Sequence, residues 1–345
     1  MDKIKVGVVG ATGYAGSEIC RLILGHPQAE LAAISSVSFE GMALSQVYPA
    51  YYQLCDMVCG TQEEVVEKSD VIFAALPHGL SQELGAQCYA LGKTFIDMGA
   101  DFRLESEEDY KEWYGGEYQD KALHKEAVYG LPEFFREKIK GKKLIANPGC
   151  YTTAVPLALV PALEAGYIEP QGIIADCKSG VTGAGRKPTQ GNHYPELNES
   201  FTAYKVANHR HTPEIEQILG KPGEVVFTPH LVPQKRGLLS TVYLQLTDEA
   251  ADMSVEDMLE CYHALYDGRP FVQVLPAGKL PRTASVVGTN VCQVGLAKNE
   301  RTHTLVAIGA IDNLCKGAAG QGVQCANLVF GLDEKTGLSN VGMPV

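Results

Sequence analysis

No apolar run in this chain is long enough to span a membrane, and the opening MDKIKVGVVGATGYAG lacks the extended apolar core of an export signal. Basic charge is in deficit. Against 41 Asp and Glu stand 29 Lys and Arg, a net charge of −12, which argues against nucleic acid or an anionic membrane as partner. A small anion remains possible, because it needs only a local cluster of donors. Paired cysteines of the zinc type are also missing. The ten cysteines lie far apart, and Cys55 and Cys59 have no matching second pair, so no metal site is expected. That many thiols without an export signal fit a reducing cytoplasm. The chain has no internal repeat and no low-complexity segment, and its tail LSNVGMPV is expected to be a plain surface end.

What is present suggests about two globular domains in 345 residues, 45% of them hydrophobic. KIKVGVVG reads as a buried strand that runs into GATGYAGSEICRLILGHP, with glycines at 10, 13 and 16. This is a G-x-x-G-x-x-G variant of the dinucleotide fingerprint, and its place between a strand and an amphipathic helix is the context the motif requires. Gly10, Thr12, Gly13, Tyr14, Ala15 and Gly16 are therefore expected to meet the cofactor's pyrophosphate at the helix N-terminus. The second strand, ELAAISS, ends in Ser35 and Ser36 with no carboxylate before Glu40. An NAD-selecting site would place an acidic residue there, so NADP is the expected cofactor.

Further alternation of strands and helices predicts a Rossmann-type doubly wound parallel sheet. Ligand loops are expected at its carboxyl edge: LPHGLS with Pro77 and His78, GADFRL with Arg103, and NPGC with Asn147 and Cys150. Cys150 stands between the strand KKLIA and the helix AVPLALVPALEAG. A helix N-terminus favours a thiolate, although a small buried cysteine is also common in proteins.

After that helix the rhythm changes to GIIADCKSGVTGAGR, GEVVFTPHLVP, GLLSTVYLQLT, PFVQVLP and a hairpin turning at KNER. These predict an α+β catalytic domain with a mixed, largely antiparallel sheet and helices on one face. Three clusters there suit chemistry. SGVTGAGR offers hydroxyls, glycines and Arg186 as an anion grip, or is simply a glycine-rich turn. Arg236 in HLVPQKRG is a carboxylate or phosphate ligand, or a solvated surface residue. In YKVANHRHTPEIEQ, His209 and His211 are expected at a strand end, on one face, before a helix capped by Thr212. They are the most concentrated candidates for the base a thiol needs.

With VGVVGATGYAGSE, LPHGLS, GADFRL, YGLPE, NPGCY, SGVTGAGR, HRHTPEIEQ, FTPHLVPQKRG and DNLCKGAAGQGVQCANLVFGLDE in this order, the sequence resembles the N-acetyl-γ-glutamyl-phosphate reductase family of arginine biosynthesis. The resemblance implies NADPH-dependent reduction of an acyl phosphate to an aldehyde, in a two-domain fold shared with aspartate-semialdehyde and glyceraldehyde-phosphate dehydrogenases, as a homodimer or homotetramer. It implies Cys150 as nucleophile and His211, or its neighbour His209, as acid/base. It also implies that Ser179, Gly180 and the segment from Asp312 to Gln321, with Asn313 and Lys316, line the cofactor and substrate site. Asn147 and Arg103 are the expected holders of the departing phosphate. Where members of the family often have NPGCYPT, this chain has Thr152 in place of the proline, a change expected to alter the start of the helix and not the chemistry. The nucleotide domain is expected over 1–149 and 314–345, and the substrate and oligomerisation domain over 150–313. Rival readings are an aspartate-semialdehyde dehydrogenase-type enzyme and a non-catalytic NADP-binding redox sensor. The base candidates and the anion grip count against the sensor.

Overall fold

The computed structural model describes residues 2–342, so residues 343–345 of the tail lie outside the described residues. The chain forms two compact units: one runs to Pro148 and takes up Ala318–Leu338, the other comprises Gly149–Gly317 and the stretch from Ser339. The C-terminal return thus begins at Ala318 and not at 314. Residues 314–317 stay with the second unit because the Asp312 carboxylate accepts hydrogen bonds from the Leu314 and Cys315 amides, and the Asp312 carbonyl accepts one from Gly317. Ser339 likewise accepts from the Asn290 amide, which ties the end of the chain to the second unit.

In the first unit, strands β1 (Ile4–Val9), β2 (Ala29–Ser35), β3 (Cys59–Gly60), β4 (Val71–Ala74), β5 (Thr94–Asp97), β6 (Val128–Tyr129) and β7 (Leu144–Ala146) form one parallel sheet. Its order is β3-β2-β1-β4-β5-β7-β6, so the winding reverses between β1 and β4. Strands such as VIFA and TFID are buried along their whole length, as expected when helices cover both faces. The helix Tyr14–Leu24 buries Ile19, Leu22 and Ile23. Three further helices that the sequence pattern did not suggest follow β5: Glu107–Tyr114, Lys121–Glu126 and Pro132–Ile139.

The second unit holds a mixed sheet of β8 (Ile173–Gly180), β9 (Thr202–Ala203), β10 (Val225–Val232), β11 (Leu238–Gln245), β12 (Val272–Val274), β13 (Cys292–Asn299) and β14 (Thr304–Ile311), in the order β12-β13-β14-β11-β8-β10-β9. The β13–β14 hairpin and three other pairings are antiparallel; β8 with β10 and β12 with β13 are parallel. One face is buried beneath the helix Cys150–Glu164, which packs on β11, β13 and β14. The opposite face leaves Ile174, Val226 and Tyr243 exposed.

The Cys150–Glu164 helix, called the thiol helix below, is buried from Tyr151 to Ala162 despite containing Pro156 and Pro161. Pro161 has no N–H for the Leu157 carbonyl, and the Tyr266 hydroxyl donates to that oxygen instead at 2.7 Å. Tyr262 donates to the next carbonyl, Ala158, at 2.8 Å. The C-terminal segment is not one uniform helix from Lys316: a π-helical stretch, Cys315–Ala319, precedes the α-helix Gly320–Val329. Such π segments are often found at functional sites.

Candidate functional site

The first unit presents a nucleotide cradle. The Gly10 and Ala11 amides both donate to the Ser35 carbonyl at 3.0 Å, which folds the chain sharply after β1. Gly10 has φ +81°, and a Cβ there would collide with the Ala75 carbonyl; one on Gly16 would collide with the Gly10 carbonyl. No side chain caps the helix that starts at Tyr14, so its first N–H groups remain for an anion. Thr12 and Ser36 are buried and share a hydrogen bond of 2.6 Å between their hydroxyls. Ser36 is therefore bonded inward, while Tyr14 and Ala15 are half-buried and Pro77 and His78 are exposed. The His78 ring meets Tyr114 edge-on.

Beside this cradle, the buried Asp101 carboxylate accepts from the Gly79 and Ser81 amides and from the Tyr110 hydroxyl, tying the loop after β4 to the loop after β5. Asp97 is also buried. Desolvation, and then the nearby Asp101 charge, push its carboxyl up to about 6, against the pull of Arg103. Arg103 itself is buried and donates to the Met98 carbonyl at 3.1 Å. Asn147 is fully buried. Its Nδ2 donates to the Ala318 carbonyl at 3.1 Å, which leaves Oδ1 turned to accept, with no hydrogen-bond partner. Gln321 repeats the pattern: Nε2 donates to the Gly130 carbonyl at 2.9 Å and Oε1 is a buried acceptor without a donor. Two buried orphan acceptors suit a ligand rich in N–H or O–H groups.

The second unit carries the thiol. Cys150 is half-buried at the first position of the thiol helix, beside the N–H groups of the first turn. Gly317 faces it so closely that an added Cβ would stand 2.7 Å from Cys150 Cβ. The next residue, Tyr151, is buried against the rings of His209 and His211, each with a centroid distance of 5.8 Å. The two imidazoles lie 4.8 Å apart. They are not on a strand, however. β9 is only two residues long, and Lys205 and Ala207 adopt positive φ, which breaks any extended run into His209. Thr212 is likewise the first residue of the helix Thr212–Leu219 and not its cap; His211 occupies the cap position, and Pro213 lies second in the first turn.

The two histidines differ in kind. His209 is enclosed by Tyr151, Tyr204, Phe227 and His211. Burial, followed by the charges of His211, Lys205 and Arg210, pushes its imidazole down to about 2, with Glu214 opposing. Its Nδ1 accepts the His211 amide at 3.1 Å, which fixes the neutral tautomer with the proton on Nε2. His211 is more open, at the mouth of its helix.

Around them, Ser179 and Gly180 end β8, and Gly180 approaches the Gln234 and Lys235 carbonyls too closely for any side chain. The Asn313 amide is spent inside the unit, accepting from the Gly237 N–H and donating to the Thr182 hydroxyl, both at 2.9 Å. Lys316 is fully buried with its ammonium over the Phe271 ring. Arg236 forms an ion pair of 3.2 Å with the buried Asp312, and Arg186 lies half-exposed in the turn after β8. Tyr151, Glu214, Asp97 and Asp101 escaped the sequence reading as individuals, although each stands inside or beside a motif it singled out. Among the described residues no group of His, Cys, Asp or Glu could hold a metal, and no helix is long and apolar enough to cross a membrane.

Residues 5–142 match the semialdehyde dehydrogenase NAD-binding domain, and residues 150–313 match the semialdehyde dehydrogenase dimerisation domain. Among solved structures, aspartate semialdehyde dehydrogenase II of Vibrio cholerae, complexed with ASA, aligns over 95% of this chain and 98% of its own at TM-score 0.72 and 17% identity. The Candida albicans aspartate semialdehyde dehydrogenase with NADP aligns over the same shares at TM-score 0.69 and 18% identity. At such identities the likeness is one of fold. Among curated proteins, the N-acetyl-gamma-glutamyl-phosphate reductase of Clostridium botulinum is 48% identical, over 97% of this chain and 98% of its own length. That of Symbiobacterium thermophilum is also 48% identical, over 98% of both chains. With near-complete coverage at such identity, on a fold that pairs a dinucleotide cradle with a thiol at a helix mouth, the chain belongs to the N-acetyl-gamma-glutamyl-phosphate reductase family.

Proposed function

We propose that this chain reduces N-acetyl-γ-glutamyl phosphate to N-acetyl-glutamate semialdehyde with NADPH, through a thioester on Cys150. The observation that carries the proposal is the first turn of the thiol helix, where Cys150 is followed by Tyr151 packed on both imidazoles. The Cys150 thiol gives its proton to His211, and the thiolate attacks the acyl carbon. The C–O bond to phosphate breaks and the phosphate leaves with its electron pair. A bound nicotinamide cofactor supplies hydride chemistry. The N–H groups of the thiol helix stabilise an oxyanion formed at the acyl oxygen, and His211 returns the proton to the Cys150 sulfur as it leaves with the C–S electron pair. His209, neutral and enclosed, holds His211 through its backbone amide.

The cradle fits a dinucleotide: Gly10 and Gly16 clear the approach, and the helix from Tyr14 offers free N–H groups to a pyrophosphate. NADP over NAD rests on the lack of a carboxylate after β2 until Glu40. Pro77 and His78, on the loop after β4, are further contacts for the cofactor. Asn147 and Gln321 accept hydrogen bonds from ligand donors. Arg186 and Ser179 serve the substrate's anionic groups, while Asn313, Lys316 and the Arg236–Asp312 pair support the loops around them, and Arg103 supports Asp97. The open sheet face with Ile174, Val226 and Tyr243 is the expected contact in a homodimer or homotetramer, and the cytoplasm the expected location. The test is a coupled assay with N-acetyl-γ-glutamyl phosphate and aspartyl phosphate. Turnover of the first, abolished in Cys150→Ser, supports the proposal, and preference for the second overturns it.

A further inference from the structure

Thr152 and Glu214 are both fully buried and lie 62 positions apart in sequence, yet the Thr152 hydroxyl donates to Glu214 Oε2 at 3.1 Å. Each sits at the third position of a helix. Thr152 follows Cys150 and Tyr151 in the thiol helix, and Glu214 follows Thr212 and Pro213 in the helix capped by His211. Thr152 Oγ1 also lies 2.9 Å from the Gly149 carbonyl, and a hydroxyl has one proton to give. The Gly149 oxygen already receives the amide and the hydroxyl of Thr153, each at 3.0 Å. With the Gly149 oxygen already occupied twice, the Thr152 proton is assigned to Glu214 Oε2.

We propose that Thr152 is a positioning residue, whose bond to Glu214 locks the mouth of the thiol helix to the mouth of the helix bearing His211 and so sets the thiol against the imidazole. The inference rests on the roles proposed above for Cys150 and His211. The Tyr151 ring against the imidazoles and the Thr152–Glu214 bond one residue further on then both join the helix mouths.

The test compares Thr152→Val, which keeps the branched shape and loses the hydroxyl, with Thr152→Ser, which keeps the hydroxyl. In Thr152→Val, kcat should fall by on the order of tenfold, with KM for the acyl phosphate within about twofold, because a misplaced reacting pair costs turnover more than binding. Thr152→Ser should restore most of the loss. The Glu214→Gln variant puts an amide NH2 in place of one of the two carboxyl oxygens and should also lower kcat at constant KM; it carries the test if Thr152→Val does not fold. Combined with Thr152→Val, its effect should be less than multiplicative, as for two ends of one bond. Wild-type kcat in both single variants, a loss confined to KM, equal impairment in Thr152→Ser and Thr152→Val, or fully multiplicative effects would each overturn the proposal. Cys150→Ser and His211→Asn, measured alongside, separate the two layers. If they abolish turnover while Thr152→Val does not, only the lock fails; if they remain active, the catalytic roles themselves fail.

Discussion

Replacing Gly317 by alanine is a one-carbon change aimed at the thiol. The new Cβ would stand 2.7 Å from Cys150 Cβ and 3.2 Å from both Cys150 Cα and Ile311 Cδ1. Non-bonded carbons settle at about 3.5–4.0 Å, so roughly 1 Å must be found at the Cys150 contact. The thiol helix is buried from Tyr151 to Ala162 and cannot shift as a body, so its first turn and the π stretch Cys315–Ala319 must yield. Gly317 does not have positive φ, which makes the effect steric and not a backbone penalty. Overpacking of this kind costs about 1–3 kcal/mol of stability. A displacement near 1 Å at a reacting atom can cost on the order of a hundredfold in turnover. Initial rates of NADPH oxidation, thermal melts and the rate of Cys150 alkylation together measure the change. A folded Gly317→Ala enzyme with kcat within about threefold of wild type would refute the reasoning, since a hundredfold loss is what that displacement predicts.

His209→Gln should alter stability more than chemistry. The folded imidazole is depressed to about 2 from 6.5, so its contribution is intact above pH 6.5 and drains away as pH falls toward 2. The slope is about 1.4 kcal/mol per pH unit in that window, and Tm followed from pH 7 to 4.5 should fall less steeply in the variant. His211→Asn should instead lower kcat by about 10²–10⁴-fold and remove one limb of the pH–rate profile; an unchanged profile would move the acid/base role elsewhere. Gly10→Ala, with φ +81° and the Ala75 carbonyl in the way, should weaken NADPH binding measured by fluorescence titration, whereas unchanged affinity would contradict the cradle. Wild-type kcat/KM should favour NADPH over NADH, and equal use of both would contradict the reading of the β2 end.

The parallel sheet was legible in the sequence because strands buried on both faces are written as continuous apolar runs, such as VGVV in β1 and VIFA in β4. Cys150 was legible because a strand, Asn-Pro-Gly and an apolar helix leave one place for it. The helix Glu107–Tyr114 was not, since only Tyr110 of its eight residues is buried and the apolar period is lost. The pairing of His209 with His211 could be suspected from their spacing, but their setting could not. Lys205 and Ala207 adopt positive φ, against the local preference of non-glycine residues. The helix lock rests on a bond across 62 residues. A contact of that span leaves no local signal.

The central claim is a covalent thioester on Cys150, and the most direct measurement withholds the reductant. Enzyme mixed with N-acetyl-γ-glutamyl phosphate in the absence of NADPH should release a burst of phosphate stoichiometric with its sites, and peptide mass spectrometry should place one N-acetyl-glutamyl group on Cys150. No burst, or an acyl group on a residue other than Cys150, would contradict the account.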